Sequence, residues 1–106
     1  MFPKSKRIED RRLLDAVKEK ICIIGDSTCS RDTKSDPDHI ITKGSGGDDV
    51  LRNVWPLCRA HHTERHKLGI VTFAYRYNSA LEELERRGFD EIVSEARRKI
   101  KDEVKF

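Results

Sequence analysis

The stretch Leu57-Cys58-Arg59-Ala60-His61-His62-Thr63-Glu64-Arg65-His66-Lys67 holds three of the chain's four histidines. Gly69 follows as a stop signal, so the spacing predicts a short helix from about Cys58 to Lys67. On such a helix His62 and His66 lie four residues apart. They project from one face, close enough to share one ion. Cys58 and His61 lie three apart on a neighbouring face, so one short helix can serve two sites. His61 and His66, five apart, fall off a shared face. Imidazole and carboxylate ligands together suit divalent first-row metals.

Upstream of this helix the pattern changes to that of a β-hairpin. His39-Ile40-Ile41-Thr42 predicts a short strand, and the residue before it, Asp38, adds a carboxylate beside the fourth histidine. Gly44-Ser45-Gly46-Gly47-Asp48-Asp49 is a turn signal, expected as a loose glycine tip. Val50 to Leu57 returns as the second limb and carries Asn53, Trp55 and Pro56. Before the hairpin come a basic arm over residues 1–8 and a helix from Glu9 to about Lys20, with Leu13, Leu14, Val17 and Ile21 at helical spacing. The apolar piece Ile21-Cys22-Ile23-Ile24 follows, then a polar loop from Asp26 to Pro37. Beyond Gly69 the chain reads as helical: Thr72 to Tyr77, Ala80 to Arg87 with Ser79 as cap and Gly88 as stop, and a last helix capped by Asp90. That last helix carries an apolar stripe of Ile92, Val93, Ala96, Ile100 and Val104. Glu95–Lys99 and Lys99–Glu103 are charge pairs on its polar side.

The length of 106 residues predicts one domain, 1–106, with a modest core. A net charge of +3 is weakly basic, compatible with nucleic acid without arguing for it. No apolar run approaches membrane-spanning length and no secretory signal is visible. Three cysteines cannot form a complete disulfide framework within one chain, which points to a reduced, cytoplasmic protein. The fold class expected is α+β, mostly helical, with a hairpin and metal-spaced helix over about 36–69 flanked by N- and C-terminal helices.

The order Asp38-His39, a hairpin with Asn53 on its return limb, then a helix with His62 and His66 resembles the HNH endonucleases, which carry the ββα-metal, or His-Me finger, motif. It looks most like the small phage and prophage members. Asp36-Pro37-Asp38-His39-Ile40, the glycine turn and Pro56-Leu57-Cys58-Arg59-x-His61-His62-x-Glu64-x-His66 occur there in this order. The match covers roughly residues 36–77. The resemblance implies that Asp38, His62 and His66 bind a catalytic divalent ion, which could be Mg, Mn, Zn or Ni. It implies that His39 is the general base, and that Asn53 holds the hairpin and orients that base. It further implies a DNA substrate, with Arg59, Arg65 and Lys43 near the phosphates, and cleavage to a 5′-phosphate and a 3′-hydroxyl; the small size and modest charge suggest low sequence specificity, or a partner that supplies targeting. In phage relatives such proteins act beside the DNA-packaging machinery, so the resemblance implies a terminase as partner and a bacterial host cytoplasm as location.

The chemistry agrees with these roles. Phosphodiester hydrolysis builds negative charge on the phosphate and the leaving oxygen, and a cation held by only three protein groups keeps open positions for those oxygens. A histidine suits the role of base at neutral pH. Adjacent Asp38 and His39 on a strand are expected to point to opposite sides of the pleat.

Cys58 and His61 resemble half of a structural zinc site, completed in many relatives by a Cys-x-x-Cys knuckle before the hairpin. Here Cys22 and Cys29 are seven positions apart. A site of Cys22, Cys29, Cys58 and His61 has the ligand count and softness for tetrahedral zinc. The other reading is that Ile21 and Ile24 replaced the knuckle and the cysteines are ordinary core or loop residues. The alternative function is a non-catalytic, zinc-stabilised DNA-binding or adaptor module, which does not need Asp38, His39, His62 and His66 together.

Overall fold

In the computed structural model, residues 7–30 and 34–104 are described, with side chains through residue 101. Pro3, Lys4 and Lys6 of the expected basic arm, and the side chains of Glu103 and Val104, lie outside that description.

Helix α1 spans Arg11–Lys18 and is capped by Asp10, whose carboxylate accepts the backbone N–H of Leu13. It ends earlier than its apolar spacing predicts. Ile21 lies beyond it and is 85% exposed, whereas Cys22 and Ile24 turn inward.

Strands β1 (Asp36–His39) and β2 (Val54–Leu57) form a two-stranded antiparallel sheet, with Asp38 opposite Trp55 and Pro37 opposite Pro56. β1 therefore sits three residues before the expected His39–Thr42 strand. Two prolines can face each other because that pair sits where neither backbone points into the ladder; the Pro56 carbonyl instead accepts the N–H of Ile23 from outside, at 3.0 Å. The ladder stops because the Asn53 side chain takes over the backbone of Ile41: Oδ1 accepts its N–H at 2.7 Å and Nδ2 donates to its carbonyl at 3.0 Å.

The connection between the strands is not a loose tip. A 3-10 turn over Lys43–Ser45 leads to Gly47, where a Cβ would lie 1.7 Å from the Ile41 carbonyl oxygen, so only glycine fits. Asn53 Nδ2 also donates to the Asp48 carbonyl at 3.0 Å. The segment before α1 closes over this loop: the Asp49 N–H reaches the Ile8 carbonyl at 2.8 Å, and the Ile8 N–H reaches Asp48 Oδ1 at 2.7 Å.

Helix α2 (Arg59–Leu68) starts at Cys58 and ends at Gly69, close to its expected bounds. Three further helices follow: α3 (Ile70–Arg76), α4 (Asn78–Arg86) and α5 (Asp90–Val104). Tyr77 rather than Ser79 precedes α4; its extended backbone ends one helix and begins the next. Gly88, at φ 83°, closes α4 in a Schellman arrangement, with Phe89 N–H on the Leu84 carbonyl and Gly88 N–H on that of Glu85. Asp90 and Glu91 place negative charge in the first turn of α5. Within the expected stripe of α5, Val93 and Ala96 are buried, Ile92 is half-buried and Ile100 is exposed. Lys99 stands 5.6 Å over the Tyr75 ring.

Trp55 and Leu57 from β2, Phe73 and Ala74 from α3, and Ala80 and Leu84 from α4 are fully buried together. The architecture is α+β with a hairpin backed by helices. No helix among the described residues is long and apolar enough to cross a membrane.

Candidate functional site

Asp38 is the hinge of the site. Its cross-strand position opposite Trp55 puts the indole on the same face, and Trp55 Nε1 donates to Asp38 Oδ2 at 2.7 Å. Arg65, on the inner face of α2, donates to the same oxygen from Nε at 3.0 Å. With Oδ2 saturated and the residue only 2% exposed, Oδ1 alone faces the next turn of α2. There His66 Nε2 lies 3.0 Å away and His62 Nε2 lies 3.3 Å away, the two nitrogens being 3.1 Å apart. Bonds of about 2.1 Å from a divalent metal place neighbouring ligand atoms roughly 3.0–3.4 Å apart. The triangle of Asp38 Oδ1, His62 Nε2 and His66 Nε2 has that size.

The electrostatics favour a cation here. Asp38 stays below the usual carboxylate range: burial works to raise it, but the hydrogen bond to His62, the charge of Arg65 and the Trp55 N–H outweigh burial. His62 is raised, first by its hydrogen bond to Asp38 and, against the opposing effect of burial, also by Asp36. Asp36 Oδ2 lies 2.9 Å from His62 Nδ1 and takes that N–H, so Nε2 is the nitrogen turned toward Asp38, where a cation would replace its proton. This orienting role of Asp36 is absent from the sequence reading, although the residue stands two before Asp38 and so lies on the same strand face.

Asp38 and His39 reach different partners, Asp38 meeting Trp55 and Arg65 and His39 meeting Asp49. The strand ends at His39, and both residues line one cleft of about 300 Å³ together with Pro37, Lys43, His62 and His66. His39 Nε2 lies 2.6 Å from Asp49 Oδ1. Asn53, expected to orient this ring, makes its side-chain hydrogen bonds to Ile41 and Asp48 instead.

Two basic residues expected near phosphates remain available: Arg59 is exposed, pairing with Asp36 at 3.3 Å, and Lys43 is exposed at the cleft. Arg65 is not. It is 5% exposed, and its guanidinium is engaged by Asp38 and by the carbonyls of His39 and Ile40. Its position four residues after His61 and three after His62 puts it on the inward face, where its charge neutralises Asp38 rather than a ligand.

A second cluster lies on that inward side. The Sγ atoms of Cys58, Cys29 and Cys22 stand 3.1, 3.5 and 3.7 Å from His61 Nδ1. Tetrahedral zinc, with bonds of about 2.3 Å to sulfur and 2.0 Å to nitrogen, spaces these atoms roughly 3.5 Å apart. The four groups suit a zinc ion in chemistry and in distance. The long gap between Cys22 and Cys29 is taken up by a turn at Asp26, whose side chain accepts the Thr28 N–H at 2.8 Å and whose carbonyl accepts the Cys29 N–H. Thr28 Oγ1 then lies 2.8 Å from His61 Nε2, which leaves Nδ1 for the cluster. Burial works to raise the Cys58 thiol, but backbone N–H groups of His61 and Ser30 and the His61 ring hold it down to about 6. Burial pushes Cys22 up to about 11. The reading in which Ile21 and Ile24 replace a knuckle does not describe this packing, since Ile21 faces solvent and the three sulfurs converge.

No family model matches the chain, and no solved structure matches it. Over 84 residues it is 34% identical to the Escherichia coli (strain K12) "Uncharacterized protein YdfU", an alignment covering 76% of this chain and 22% of the other. The chain thus spans about a fifth of the length of that relative.

Proposed function

We propose that this protein is a metal-dependent endonuclease of the HNH, or ββα-metal, type that hydrolyses DNA phosphodiester bonds. The observation that carries the reading is the triangle of Asp38 Oδ1, His62 Nε2 and His66 Nε2 on a cleft that His39 also lines. A divalent ion held there supplies stabilisation of the negative charge that develops on the phosphate and the leaving oxygen. His39 takes a proton from the attacking water. Lys43 at the cleft and the exposed Arg59 beside Asp36 hold phosphate oxygens and give affinity without sequence information. Asp36 and Arg65 keep the ligands in place. The products are a 5′-phosphate and a 3′-hydroxyl, and the reaction is nicking or cleavage with low intrinsic specificity. By the resemblance to small phage HNH proteins, we propose a terminase or related DNA-packaging protein as partner and a bacterial host cytoplasm as setting.

The second reading, a non-catalytic zinc-stabilised DNA-binding or adaptor module, is favoured by the Cys22, Cys29, Cys58 and His61 cluster, which needs no chemistry from the cleft. It leaves the Asp38, His62 and His66 triangle without a purpose. A plasmid-nicking assay separates them. The nuclease converts supercoiled plasmid in Mn²⁺ or Mg²⁺, stops in EDTA and loses activity in His39→Ala. A well-folded protein that binds the plasmid but leaves it intact with every divalent ion is the module.

A further inference from the structure

Asp49 sits in the glycine-rich connection, where a turn residue needs no buried neighbour. Yet it is 4% exposed, and every donor around it is accounted for. Its Oδ2 accepts the backbone N–H of Asp10 at 2.9 Å. Its Oδ1 accepts Arg7 Nη1 at 2.9 Å and faces His39 Nε2 at 2.6 Å. Its own backbone N–H is tied to the Ile8 carbonyl.

From this geometry we infer that Asp49 is the positioning residue of the His39 base, accepting its Nε2–H and thereby making Nδ1 the nitrogen that carries the lone pair. A carboxylate held by Arg7 and a backbone N–H can only accept, so the ring nitrogen facing it must carry the proton. Among the described residues no hydrogen bond reaches His39 Nδ1. When that nitrogen takes a proton from water, the ring becomes an imidazolium with both nitrogens protonated. The Asp49 carboxylate stays ionised and stabilises the new charge, the role a carboxylate plays behind histidine in hydrolytic triads. Asn53 acts on the backbone around the site, through its side-chain amide, and not on the His39 ring. It ties the Asp48 carbonyl to Ile41, and Gly47 permits the close approach, which together set the residue next to Asp49 in place. Arg7 and Asp10, about forty residues away in sequence, close the other side.

The inference takes its chemistry from the nuclease reading, but its geometry is tested apart from it. The first readout is the ¹⁵N spectrum of the His39 ring in the metal-free protein, at a pH where the ring is neutral. Wild type is expected to show protonated Nε2 and unprotonated Nδ1, and Asp49→Ala a mixture of tautomers. A wild-type ring protonated on Nδ1, or the same Nε2–H tautomer in Asp49→Ala, overturns the inference. The second readout is nicking by Asp49→Asn, which is isosteric and is checked for fold by circular dichroism. Its kcat is expected to fall about a hundredfold, within the range of general-base effects, with KM and Mn²⁺ affinity unchanged. In a His39→Ala background the same change is expected to cost nothing further. Wild-type kcat in a folded Asp49→Asn, or an equal loss in both backgrounds, overturns the inference. A wild-type protein that nicks nothing removes the nuclease reading, and the tautomer spectrum still decides whether Asp49 holds His39.

Discussion

Arg65 Nε lies 3.0 Å from Asp38 Oδ2, on the side of the carboxylate turned away from His62 and His66. The pair is buried on both sides, and Arg65 Nη2 also donates to the carbonyls of His39 and Ile40 at 3.2 and 2.9 Å. One guanidinium therefore neutralises the buried acid, selects which of its oxygens faces outward, and ties the end of β1 to α2. Removing one partner of such a pair leaves an uncompensated buried charge, which costs about 3–5 kcal/mol. Arg65→Ala is expected to lose stability of that order in urea denaturation, and Arg65→Lys to recover only part of it, since an ammonium lacks the fork. Wild-type stability in Arg65→Ala would show that the pair does not hold the fold.

The triangle at Asp38 Oδ1 predicts an order of metal-binding losses. His62→Ala removes a ligand and is expected to lower Mn²⁺ affinity most. Asp36→Asn leaves every ligand but loosens the hydrogen bond that orients His62, and outer partners of this kind are worth about 10–100-fold in affinity. Calorimetric titration with Mn²⁺ ranks the two. Unchanged affinity in His62→Ala would remove the triangle as a metal site; an Asp36→Asn loss larger than that of His62→Ala would make Asp36 a ligand itself.

The sulfur cluster predicts separable behaviour on the other face of α2. Where zinc joins Cys22, Cys29, Cys58 and His61, its binding is folding energy. Protein purified without added metal is expected to carry close to one zinc per chain. Cys58→Ser is expected to lose it and to melt about 10 °C lower or more. His66→Ala is expected to keep zinc and melting temperature while losing Mn²⁺ binding. Zinc-free wild type as stable as Cys58→Ser would leave the cysteines as packing residues.

Much of this was legible in the sequence because it depends on local spacing. The i, i+4 pair His62 and His66, the Cys58 and His61 pair, and the stops at Gly69 and Gly88 follow from helix geometry alone. What was not legible depends on contacts distant along the chain. Arg65 reads as one more exposed cation in a charged helix until β1 brings a buried Asp38 beneath it. The turn at Gly44–Asp49 reads as a free tip, because nothing local reveals that Arg7 and Asp10 will close over Asp49. The strand shifts toward Asp36 because a side chain, Asn53, outcompetes the ladder at Ile41. Asp36 was within reach of alternation, which places it on the face of Asp38.

Asp49 also sets an acid limit. Burial works to raise its carboxyl, but hydrogen bonds from His39, the Asp10 N–H and Arg7 outweigh that and bring it down to about 2. In the unfolded chain an aspartate titrates near about 3.9. As pH falls the unfolded chain takes up this proton first, so the stability from Asp49 is fully present above about pH 4 and is lost as pH drops toward about 2. Its size from this shift is about 2–3 kcal/mol. Asp49→Asn cannot ionise and is expected to be less stable than wild type by about that amount at neutral pH, the gap closing as pH falls from about 4 toward 2. Both chains share the metal-binding groups, so the difference between their urea midpoints isolates this residue. A gap that stays constant down to the acid transition would show that Asp49 has the same pKa folded and unfolded. In that case the ring of donors around it would not stabilise its charge.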